Sequence, residues 1–102
     1  MFSTGAGVPE DDAKAVHWAT KAAKQGNSTA QYFIGHMYFA GEGIPTNDVR
    51  AYAWFSIAAA QGLAQGKETM KLIVKLMTPA QIADGQKLSS ELWEKYVLPF
   101  QK

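Results

Sequence analysis

The chain has 102 residues, 47% of them hydrophobic and 19% charged, with a net charge of +1 and no cysteine. Its length allows one domain with a modest core, and its charge is too low for a disordered tail or for a field that would draw it onto nucleic acid or an anionic membrane. Without cysteine it has neither disulfides nor thiolate metal sites, and its longest charge-free run, Ala51 to Gly66, is broken by Ser56, Gln61, Gly62, Gln65 and Gly66, which excludes a membrane span.

The opening, MFSTGAGVPEDD, lacks the basic and apolar regions of a signal peptide. Pro9 then breaks the chain and Asp12 falls in a first helical turn, where the helix dipole favours negative charge. Ala15, Trp18 and Ala22 follow at i, i+3, i+7, and Gly26 sits where a left-handed cap is wanted, so a helix is predicted over 11–25. Next, Ser28 is the expected N-cap of a helix over 28–40, with Ala30, Ile34 and Met37 on its apolar side and Gly35 allowing close backbone approach. A Gly41-Glu42-Gly43 turn leads into a third helix, 47–61, in which Asp48, Ala51, Trp54, Ala58 and Gly62 repeat the roles of Asp12, Ala15, Trp18, Ala22 and Gly26. A fourth helical stretch is expected over 64–77. Thr78 and Gln81 form a capping box with Pro79 in the first turn, which opens a helix over 79–96 that Pro99 ends.

The two phrases GAGVPEDDAKAVHWATKAAKQG (5–26) and GEGIPTNDVRAYAWFSIAAAQG (41–62) share ten identities in 22 positions at a period of 36. That period lies close to the ~34 residues of a helix–turn–helix solenoid unit. The reading is a single all-α domain over 1–102, an α/α solenoid (superhelix) of stacked antiparallel helix hairpins. It divides into a partial first repeat (5–26), a full repeat (28–62), a degenerate repeat helix (64–77), a C-terminal capping helix (79–96) and a tail (97–102). The run AQYFIGHMYFAGEGIPTNDVRAYAWFSIAAAQG resembles the Sel-one-like repeat, a relative of the tetratricopeptide repeat. The matching positions are Ala30, Ile34, Gly35, Met37, Tyr38, Gly41, Gly43, Asp48, Ala51, Trp54, Ala58, Ala59 and Gly62. The resemblance implies an adaptor or scaffold that binds other proteins, and a similar terminal helix is common in that family.

Catalytic, metal and cofactor sites find little material. His17 and His36 lie on different helices with no third ligand evident, and His17 falls in the wet row Lys14, His17, Lys21, Lys24. Gly41-Glu42-Gly43 lacks the third glycine and the preceding strand of a phosphate loop, and its recurrence at Gly5–Gly7 marks it as architecture. No serine has a nucleophile-elbow context, and Glu10, Asp11 and Asp12 crowd a helix start where capping accounts for them. The row Lys67, Lys71, Lys75 reads as a solvated face. The expectation is therefore no enzyme, no cofactor, no metal and no nucleic-acid partner.

Interaction has better material. In stacked hairpins the helices of the 28–40 type line the concave face, which places Tyr32, His36 and Phe39, and on the next such helix Glu68, Leu72 and Lys75, as candidate partner-binding residues. The competing reading packs Tyr32 or Phe39 against the neighbouring repeat. A small-ligand binder or enzyme using the groove, and a purely structural end-piece, are the alternatives to a protein or peptide adaptor. The register also pairs Met1 and Phe2 with Met37 and Tyr38, so the chain reads as the C-terminal piece of a longer array. Part of the apolar face of the first helix is then expected to be open, to be covered by further repeats, a partner chain or a second copy in a homodimer. Finally, the outer row Arg50, Ala53, Ile57, Ala60 has turned apolar, and the tail residues Val97, Leu98 and Phe100 are expected to fold over it.

Overall fold

The computed structural model describes residues 9–100, with side chains described from Ala13 onward. Expectations placed on Met1, Phe2, the Gly5–Gly7 turn and the side chains of Glu10, Asp11 and Asp12 lie outside the described residues. Five α-helices follow one another: α1 (Pro9–Ala23), α2 (Ser28–Ala40), α3 (Asp48–Ala60), α4 (Ala64–Ile73) and α5 (Pro79–Tyr96). No strand occurs among the described residues.

Local chemistry sets the boundaries. Gly26 and Gly62 end α1 and α3 at φ 90° and 100°, a left-handed conformation that costs a side-chain-bearing residue energy. Gly41 does the same for α2, its N–H donating to the Met37 carbonyl at 2.7 Å. Asn27 caps α2, its Oδ1 accepting the Ala30 N–H at 2.9 Å, whereas the sequence reading put Ser28 there. Asparagine and serine cap about equally well, and the extended backbone of Asn27 directly after Gly26 decides between them. Asn47 caps α3 in the same way through the Arg50 N–H. Helix α4 gives way at Val74 to a 3-10 turn, Val74–Leu76. At Thr78 both halves of the capping box form: the Gln81 N–H donates to Thr78 Oγ1 at 3.1 Å, and the Thr78 N–H donates to Gln81 Oε1 at 2.9 Å.

Helix α3 is the centre of the molecule, packed by α2, α4 and α5. One side carries Trp54 and Ile57 into a cluster with Ala19 and Ala23 of α1, Ile34 and Met37 of α2, and Val97. The other side carries Ala51, Tyr52 and Phe55 against Ile73 and Met77. Wrapped on all sides, α3 buries Ala51 to Phe55 and Ile57 to Ala59, which explains why its sequence is apolar all round.

In the row Arg50, Ala53, Ile57, Ala60, Ala53 and Ile57 are buried, Ile57 in one cluster with Val97, while Arg50 and Ala60 stay exposed; α5 packs along α3 beside the row. Tyr96 stacks on Trp54 with ring centroids 5.9 Å apart, Ser89 meets Ser56 at 3.0 Å, and Gly85 lies against the Tyr52 ring. Of the three tail residues expected there, Val97 is fully buried, while Leu98 and Phe100 stay about half exposed.

Candidate interaction surface

Helices α2 and α4 are the corresponding members of successive hairpins, and one contact ties them together. The Tyr32 hydroxyl meets Thr69 Oγ1 at 3.3 Å, and the Tyr32 ring tilts against Phe55 at 5.4 Å. Tyr32 is thus half-buried between neighbouring hairpins and its polar end is already satisfied.

Farther along this seam the side chains turn outward. Phe39, seven residues beyond Tyr32, is 37% exposed. On α4 and the turn after it, Leu72 and Leu76 are 64% and 63% exposed. His36 stands in solvent with Nδ1 3.9 Å from Glu42 Oε1. Glu68 reaches Lys71 at 3.6 Å, a pair so wet that it contributes almost nothing to stability. Lys75 is exposed beside Leu76. Of the six residues the sequence singled out, His36, Phe39, Glu68, Leu72 and Lys75 present side chains to solvent, and Tyr32 holds the seam from beneath.

Two exposed apolar side chains escaped the sequence reading. Leu76 lies four residues after Leu72, in the 3-10 turn that follows α4. Phe33 of α2 is also exposed. Single exposed leucines are ordinary; Leu72, Leu76 and Phe39 are three large apolar side chains left exposed on α2, on α4 and in the turn after it.

No group of three or more potential metal ligands occurs among the described residues. In the Gly41–Gly43 turn the Gly41 and Glu42 N–H groups are spent internally, donating to the Met37 carbonyl at 2.7 and 3.1 Å. The lysines of the row Lys67, Lys71, Lys75 are all exposed. None of the described helices is long and apolar enough to cross a membrane.

Both the repeated geometry and the residue pattern point to one family. The family model of the Sel1 repeat matches residues 1–27 and again residues 28–63. The chain belongs to the Sel1 repeat family. Among solved structures it is similar to c5321, a protective antigen present in uropathogenic Escherichia coli strains displaying an SLR fold. The TM-score is 0.83 at 33% identity, over 87% of this chain and 19% of that one. The Sel1 chain thus spans about a fifth of the neighbour's length. No curated protein matches it. Sel1 repeats generally serve as scaffolds for protein interaction, and the all-helical stack seen here is that architecture.

Proposed function

We propose that this Sel1 chain is a protein-interaction module, an adaptor without catalytic activity or cofactor, whose α2–α4 surface receives a peptide segment of a partner. The observation that carries this reading is the exposure of Phe39, Leu72 and Leu76, large apolar side chains of α2, α4 and the turn after α4. A partner that covers them recovers roughly 25 cal/mol for each Å² of apolar surface removed from water. His36, Glu68 and Lys75 sit on the same elements with both signs of charge, which suits them to fixing register more than to supplying affinity. Tyr32 sets the geometry by pinning α2 to α4 through Thr69.

The test is a selection from a random peptide library displayed on phage, followed by binding measurements on synthetic versions of the selected peptides. The combined change Phe39→Ala, Leu72→Ser, Leu76→Ser is expected to weaken binding by about tenfold or more, as loss of hot-spot contacts does. Because all three side chains are exposed, the helical circular dichroism should not change. Unaltered affinity in that variant would sink the reading.

A further inference from the structure

We draw no further inference here: the strongest candidate, the exposed row Lys67, Lys71 and Lys75 along α4 and the turn after it, already holds Glu68 beside Lys71 at 3.6 Å, and nothing in the structure shows what would cover the rest.

Discussion

Trp18 and Trp54 are the same residue at the same repeat position, yet one stands in water and the other is core. The expected consequence is a large asymmetry in stability. Trp54→Ala removes a ring stacked on Tyr96 and leaves a cavity, so urea unfolding should register a loss of about 3–5 kcal/mol. Trp18→Ala should stay within about 0.5 kcal/mol of the parent. Comparable losses at both sites would mean that Trp18 is covered in solution. The repeat made both tryptophans legible as a paired feature, but burial depends on what packs against each copy, which no single helix's sequence records. Gln31 was invisible for a related reason. It is fully buried, its Nε2 donating to the Ala23 carbonyl at 3.0 Å and its Oε1 accepting from Gln61. A glutamine reads as surface until its partners, eight and thirty residues away, are brought alongside. Gln31→Ala removes both of these bonds, leaving the Gln61 amide with the Ile57 carbonyl alone, and should cost about 1–3 kcal/mol in the same assay.

Helix boundaries were the most readable elements because they are local chemistry. The Thr78–Gln81 capping box and the glycines after α1 and α3 act within a few residues and need no tertiary knowledge. Thr78→Ala is accordingly expected to lower stability by about 1 kcal/mol, measured by urea unfolding. Close helix approach is less readable, and Gly66 shows why. A Cβ placed on it would meet the Ala59 backbone nitrogen at 3.0 Å and the Phe55 carbonyl at 3.2 Å. Glycine-to-alanine inside a helix ordinarily gains about 1 kcal/mol. Here the neighbours are main chain of α3 and cannot rotate aside, so Gly66→Ala should destabilise, by about 1–3 kcal/mol, with a lower thermal midpoint. A raised midpoint would show that α4 can shift away from α3 at little cost. The exposed apolar residues were legible in part: Leu72 and Phe39 followed from repeat register, whereas Leu76 falls in the 3-10 turn, where helical register no longer tells which way a residue faces.

At the scale of the whole molecule, the 36-residue period carried most of the fold, because like phrases must pack in like ways and only stacked hairpins let them. With a Cα radius of gyration of 13.2 Å the stack is no longer than an ordinary domain of its length, about 13 Å, so its surfaces are few and short. Helix α5 packs along α3, over Tyr52, Trp54 and Ser56. Trp18 of α1 stays exposed, as do Phe39, Leu72 and Leu76 on α2, α4 and the turn after α4. The most direct test of the account is an amide shift map of the isotopically labelled chain titrated with a library-selected peptide. Shifts concentrated at Phe39, Leu72, Leu76 and their immediate neighbours are the expected result. Shifts confined to α5 or to the loops between hairpins, with these residues unmoved, would contradict the claim that this surface is where the module meets its partner.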